Sequence, residues 1–310
     1  MKKFLNQFLN KKVKKKIKET IAFILRKNMK VGVSYNLFDG EELLPYSIKQ
    51  IRKNVNYISV VYQLTSNLGN PASNNLEKKL EQLKEKGLID ELHHYEPDFK
   101  LTPHENEKKK RDIGLELAKK HGCTHFMSMD TDEFYEEEQF DYALDYIMLH
   151  NIKTSAVGIV EYLKEPENQL IGTYTFIKKD TDLYNFYVPF IIKINKFKTS
   201  KHGKGYFPCY TDPTRKLFHS GRFRLFPIQE IVMHHMATIR LDLDKKYDNS
   251  SFLDSSKEVQ EHLKNIQQEV LAFDFEKSKT LPEDCAIFRK NIVRKVDNKF
   301  KIEIEGAEKF

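Results

Sequence analysis

The chain has 310 residues, 40% of them apolar and 31% charged, an ordinary composition for a soluble protein with a sizeable core and one large or two modest domains. Its three cysteines, Cys123, Cys209 and Cys285, form no CxxC and no zinc spacing, which excludes a disulfide framework and fits a reducing cytosol. The net charge of +7 is local: residues 1–28 hold ten Lys or Arg and one Glu, so this arm carries +9 and the remainder −2.

In the arm, Phe4, Leu5, Phe8, Leu9, Val13, Ile17, Ile21, Ile24 and Leu25 recur at spacings of three and four, with lysines on the other face, which predicts a basic amphipathic helix. Its apolar runs are too short for a secretory signal or a membrane span. An anionic membrane surface fits, since each Lys or Arg near one contributes about 1 kcal/mol. Packing on its own domain is the alternative. Nucleic acid is a poorer fit because no basic patch continues into the body.

Beyond the arm, strand and helix alternate. Lys30 to Asn36 reads as a strand, followed by Asp39 and Glu42 in capping-box spacing and a helix bearing Leu44, Ile48 and Ile51. A strand over Tyr57–Tyr62 precedes a helix marked by Leu76, Leu80 and Leu83 that stops at Gly87, and Leu88 to Tyr95 supplies a third edge. Thr102, Pro103 and Glu105 open another helix, which Gly122 ends. This alternation predicts parallel strands with helices on both faces and a ligand crevice at the strand ends.

The next strand, Phe126 to Met129, runs into Asp130 and Asp132. Residues i and i+2 of an extended chain point the same way, so the two carboxylates could share a hard cation such as Mg²⁺ or Mn²⁺. Two further Asp-x-Asp copies, at Asp180 and Asp242, lack the apolar strand and read as a turn and a charged run. Downstream, a helix over residues 139–150 leads to strands at Ser155–Tyr162, Tyr174–Ile177 and Tyr187–Ile194. Short extended pieces follow at 216–219, 222–226 and 231–236, then a helix opened by Ser255 and a weak strand over 298–304.

From Met29 to Ser251 the chain resembles the GT-A fold glycosyltransferases, nearest the family-2-like enzymes of bacterial surface polysaccharide. Four stretches carry the resemblance: Val31 to Asn36 with Glu41 to Leu44; Lys110 to Ala118; Met129 to Phe134; and His235 to Arg240 with Lys245 and Asn249 to Ser251. The resemblance implies an α/β fold, a Rossmann-like nucleotide-sugar domain with a mixed central sheet, flanked by the basic helix and a helical C-terminal segment. The divisions are 1–28, 29–272 (a donor half over 29–135 and an acceptor half over 136–272) and 273–310. It implies a metal-dependent transfer from a nucleotide-diphosphate sugar to a glycan or lipid-linked acceptor, with the chain held peripherally on the cytoplasmic face of the inner membrane.

By the same resemblance, Asp132 holds Mn²⁺ or Mg²⁺ directly, Asp130 contacts the metal or the donor ribose, and His235, in preference to His234, is a third ligand. Tyr35, Asn36 and Phe38 contact the nucleotide, and Arg111, Arg215, Arg240 and Lys245 its phosphates. Gln63 stands where the family usually has a base-reading aspartate. Asp212 and Glu161 are the candidates for a general base, and the aromatic segments 174–176 and 184–190 for an acceptor groove. The rival classes are a nucleotidyltransferase, or another enzyme binding phosphate through a metal, and a non-catalytic membrane- or nucleic-acid-binding protein.

Overall fold

The computed structural model describes residues 20, 26–171, 175–178, 182–185, 187–194, 209, 211–217, 221–250, 257–274 and 292–304. Nearly all of the basic arm and the Ser255 cap lie outside them.

The chain order is β1 (Val31–Leu37), α1 (Leu44–Ile51), β2 (Tyr57–Tyr62), α2 (Leu76–Glu85), β3 (Glu91–His94), α3 (Pro103–Lys120), β4 (His125–Asp130), β5 (Glu133–Phe134), α4 (Glu137–His150) and β6 (Thr154–Glu161). It continues through β7 (Asn168–Ile171), β8 (Thr175–Lys178), β9 (Asp182–Asn185), β10 (Tyr187–Lys193), β11 (Phe223–Leu225), β12 (Val232–His235), α5 (Leu243–Asp248), α6 (Lys257–Ala272) and β13 (Ile292–Lys295). A nine-stranded mixed sheet runs β3-β2-β1-β4-β10-β6-β12-β5, with β11 on β6. The strands β3, β2, β1 and β4 are mutually parallel, as the alternation predicts; β10 pairs antiparallel with both β4 and β6.

Side-chain alternation along β1 sorts the two layers. Val31, Val33, Tyr35 and Leu37 pack into one core with Leu44, Ile48, Leu80, Phe140 and Leu144 from α1, α2 and α4. The other face meets α3 through Leu115, Leu117 and Ala118 against Val61 and Phe126. Each of these apolar side chains contributes roughly 1.5–3 kcal/mol by burial. The helix α3 begins as its residues dictate. Thr102 Oγ1 accepts from the Glu105 amide at 3.3 Å and Glu105 Oε2 accepts from the Thr102 amide at 2.9 Å, a complete capping box.

The second expected capping box does not form. The helix α1 starts after Leu43 with no side-chain cap, while Glu42 Oε1 accepts from the Leu241 amide at 3.0 Å. Gly40, at φ +76°, turns the chain there, and Pro45 in the first helical turn starts the helix instead. Nor are residues 298–304 a strand. The C-terminal strand is β13, antiparallel to β7, and Asn298 closes a turn by bonding both the amide and the carbonyl of Ile302. Phe300 and Ile302 then pack on Phe134, Tyr162 and Met236. Lys216 and Leu217 are in no strand, and Phe190 of β10 lies in the main core rather than along a groove.

Candidate active site

The parallel strands β1 and β4 end side by side, with Asn36 in register with Asp130. The chain then turns through Thr131 and Asp132 into the short strand β5, and β12 brings His234 and His235 alongside Phe134 and Glu133. β6 lies on the other side of β12 and sets Glu161 against His235. Sheet geometry therefore assembles carboxylates and histidines that lie about a hundred residues apart in the chain.

Two ionic clusters result. In the first, both oxygens of Asp130 receive Arg111 Nη2 at 3.2 Å, and Asp130 Oδ2 also receives Arg215 Nη2. Arg215 reaches Glu133 Oε2 from Nη1 at 2.8 Å and Asp212 Oδ2 from Nε at 3.1 Å. Arg111 spends its remaining donors on Ser128 Oγ (2.8 Å) and Thr214 Oγ1 (3.2 Å). Both arginines are buried. Burial opposes the charge on Asp130, but the two guanidiniums outweigh it and hold the carboxyl at about 2. Glu133 is pushed up, because its burial outweighs the pull of Arg215.

The second cluster surrounds Asp132. Its Oδ2 receives Arg240 Nη2 at 2.6 Å and Lys246 Nζ at 2.7 Å. Its Oδ1 faces His235 Nε2 across 3.7 Å, and His235 Nδ1 lies 2.5 Å from Glu161 Oε1. Burial disfavours charge on Asp132, yet Lys246, Arg240 and His235 hold it well below the usual carboxylate range. Burial would likewise depress His235, but Glu161 and Asp132 draw it up to about 9.

Several expected site residues are placed elsewhere. Tyr35 points into the core, its hydroxyl 2.9 Å from Ser47 Oγ, because residue 35 falls on the same face of β1 as Val33 and Leu37. Arg111 and Arg215 have bonded their guanidiniums within the first cluster, so they organise Asp130 rather than reach for phosphates. Lys245 lies 5.4 Å over the Phe38 ring, and its neighbour Lys246 takes the carboxylate. Asp212 caps a single 3₁₀ turn through the Thr214 amide and hydroxyl at 2.7 Å, which with Arg215 occupies it. Glu161 is occupied by His235. Neither candidate base is free.

His234 turns to the opposite side and meets Tyr162 at 2.8 Å. Asn36 and Gln63 are buried at the strand ends with polar atoms that lack partners. The Arg240 side chain is buried too; its Nε and Nη1 have no hydrogen-bond partner, and Nη1 lies 3.8 Å from Asp39 Oδ1. Gly40 makes room for it: a Cβ there would stand 1.4 Å from Arg240 Nη1. Lys246, Glu133 and Thr214 are absent from the sequence reading. Glu133 adjoins the Asp-x-Asp motif, which was a usable signal; the choice between Lys245 and Lys246 depends on the setting of a six-residue helix.

No family model matches this sequence, and no curated protein does. Solved structures do resemble it. The crystal structure of S. aureus TarS aligns over 80% of this chain and 45% of its own, at 12% identity and a TM-score of 0.41. That of GalNAc-T7 with UDP, GalNAc and Mn²⁺ aligns over 80% and 53%, at 12% identity and a TM-score of 0.40. S. aureus TarS 1–349 with UDP-GlcNAc aligns over 48% and 39%, at 13% and 0.35. The chain thus spans about half the length of these proteins or less. Likeness of this grade decides neither activity nor substrate.

The residues themselves can be tested for a cation. Among the described residues no three His, Cys, Asp or Glu side chains are grouped to hold one. Asp132 Oδ1 and His235 Nε2 do face each other, and Glu161 fixes the ring as a carboxylate behind a ligating histidine does. Two protein ligands suit Mg²⁺ or Mn²⁺, which complete their shells with water and substrate phosphates. The donor set fits such an ion at Asp132 and His235, provided that His235 gives up its proton on binding. Asp130, saturated by two arginines, is not a ligand in this arrangement.

Proposed function

We propose that this chain is a GT-A-type glycosyltransferase that moves a sugar from a nucleotide-diphosphate sugar to a glycan acceptor, and that it belongs to surface-polysaccharide synthesis. The observation that carries the reading is the Asp132–His235–Glu161 arrangement beside Arg240. A carboxylate, an oriented imidazole and a guanidinium with unbonded N–H groups converge at the ends of parallel strands, where open α/β sheets bind ligands.

A divalent cation at Asp132 and His235 would supply charge neutralisation for the departing diphosphate. The chain's own groups do the rest. Arg240, seated against Gly40, held by Asp132 through Nη2 and 3.8 Å from Asp39 Oδ1 at Nη1, adds positive charge beside the cation site. Lys246 adds a second positive charge on the same edge. Glu161 holds the His235 ring in place. The Asp130–Arg111–Arg215 cluster locks the turn that carries Asp132, so these groups need not reorganise as charge develops. The basic arm would hold the enzyme at an anionic membrane, where lipid-linked acceptors lie. Arg26, at its end, bonds Asp141 and Asp145 of α4, joining the arm to the body. No helix among the described residues is long and apolar enough to cross a membrane.

The deciding experiment is thermal unfolding of the full chain with UDP, GDP or CDP, with and without Mn²⁺. A nucleotide at a hundredfold excess over its Kd stabilises by about 2.7 kcal/mol. One nucleotide should give a shift that Mn²⁺ enlarges, and Asp132→Ala should abolish the enlargement. Undiminished metal enhancement in that variant would overturn the cation assignment. Free nucleoside diphosphate as product separates this reading from nucleotidyl transfer, which releases pyrophosphate. Liposome pelleting with and without residues 1–28 tests the arm.

A further inference from the structure

The strand β5 is two residues long and lies at the end of the sheet path. It meets β12 through the pairs Phe134–His234 and Glu133–His235, and the Met236 amide donates to the Asp132 carbonyl at 2.7 Å. This short ladder sets how far Asp132 stands from His235. An edge strand of that length has little stability of its own. Two ligands must nevertheless keep their distances to about 0.2 Å to hold a cation. Alternation turns Phe134 and His234 to the face away from Glu133 and His235. On that face the C-terminal segment crosses them.

Residues 292–304 are anchored on both sides of the crossing. β13 pairs with β7, and the Val296 amide donates to the Glu167 carbonyl at 2.8 Å. Beyond the crossing, the Glu303 carbonyl accepts from the Tyr46 hydroxyl of α1 at 3.0 Å. Between these anchors the Phe300 ring meets His234 edge-on at 5.0 Å and Phe134 at 5.1 Å, and all three rings are buried. A directed chain of polar groups closes around the same histidine. Arginine only donates, and Arg294 Nε and Nη2 reach Gln169 Oε1 at 2.8 and 2.6 Å. Gln169 Nε2 therefore faces Tyr162 and donates to its hydroxyl at 3.2 Å. That hydroxyl lies 2.8 Å from His234 Nδ1, and His234 Nε2 stands 3.4 Å from Glu136 Oε1. A carboxylate accepts, so the imidazole turns an N–H at Nε2 toward it and Nδ1 accepts from Tyr162. Glu136 also takes Lys299 Nζ at 2.7 Å. The chain thus begins and ends on the C-terminal segment, with His234 held in its middle.

We propose that residues 292–304 form a clasp that sets the spacing of Asp132 and His235, with Phe300 and Lys299 as positioning residues for a divalent cation. This rests on the reading above, that such a cation binds at that pair. Neither positioning residue touches the cation. Phe300 presses the Phe134–His234 pair together from behind, so that β5 stays on the sheet edge. Arg294 and Lys299 fix the His234 ring from its two sides through Tyr162 and Glu136, which holds β12 in register with β5.

The test is titration of the full chain with Mn²⁺ alone, read by the electron paramagnetic resonance of the free ion well below the unfolding temperature. Phe300→Ala should weaken Mn²⁺ about tenfold, the lower end of the cost of losing a group that orients a ligand. Phe300→Leu refills the space and should restore most of the affinity. Lys299→Met should weaken Mn²⁺ in the same direction, at a side chain 47% exposed and therefore tolerant of exchange. Leu80→Ala, in the core on α2, should lower the thermal midpoint and leave Mn²⁺ affinity unchanged, which separates positioning from lost stability. Parent-like affinity in a folded Phe300→Ala would overturn the clasp and leave the cation site standing. If that variant does not fold, parent-like affinity in Lys299→Met would do the same. An equal loss in Leu80→Ala and Phe300→Ala would also overturn it. A parent chain that binds no Mn²⁺ would overturn the cation reading, and the clasp with it.

Discussion

Gly114 gives a sharp test of how α3 positions the site. Its place in the middle of an eighteen-residue helix costs about 1 kcal/mol in helix propensity relative to alanine. On propensity alone, Gly114→Ala should therefore stabilise the protein. The structure predicts the reverse, because the added Cβ would stand 2.1 Å from Ser34 Oγ and 2.4 Å from Ser34 Cβ. A hydroxyl can rotate away, but Ser34 Cβ belongs to a central strand and cannot. The helix must lift instead, an overpacking cost of about 1–3 kcal/mol or more. With the propensity gain set against it, the net loss is up to about 2 kcal/mol, a fall in Tm of up to about 3 °C for a chain of 310 residues. Lifting α3 also draws Arg111 from Asp130, so the variant should bind nucleotide more weakly as well. Ser34→Gly removes both offending atoms, and the double variant should regain most of the stability lost by Gly114→Ala. Thermal unfolding of the parent, both single variants and the double variant checks this. A Gly114→Ala protein at least as stable as the parent would refute the close approach of helix and strand.

Three further outcomes are expected. Arg215→Ala leaves the buried Glu133 without its guanidinium and should cost about 3–5 kcal/mol, seen as a large drop in the denaturation midpoint. Glu161→Gln should weaken Mn²⁺ binding about 10–100-fold by calorimetry while the thermal midpoint moves little, since the amide keeps its place beside His235. His125, buried at the start of β4, is depressed to about 4 by burial and by Lys193 and Lys153. Above pH 6.5 it is neutral in both folded and unfolded chains. Below that the unfolded chain takes up the proton first, so about 3 kcal/mol of stability is lost between pH 6.5 and 4. His125→Gln should flatten this part of the stability–pH curve; an unchanged slope would sink the assignment.

The elements most legible in the sequence are those whose signals are local. The Thr102–Glu105 box, the apolar spacing of α1 and α2, and the run from Phe126 into Asp130 each depend on neighbours a few residues apart. Those signals sufficed for the parallel strands β3, β2, β1 and β4, whereas His235 and Arg240 were singled out by the resemblance. Strand alternation alone could have moved Tyr35 to the core, since it shares parity with Val33 and Leu37.

What the tertiary structure decided is how charges pair. Asp130 and Asp132 look equivalent two residues apart in the chain. They separate because α3 and the 3₁₀ turn at Pro213–Arg215 deliver two arginines to the first. β12, the loop after it and α5 deliver His235, Arg240 and Lys246 to the second. Glu161 and Asp212 read as free carboxylates until a histidine 74 residues away and an arginine on the same short turn are brought against them. A sequence shows which side chains can ionise, and partly where each strand ends. Which opposite charge meets each of them depends on packing between elements far apart in the chain, because Coulomb attraction acts on distance in space and is blind to order along the backbone.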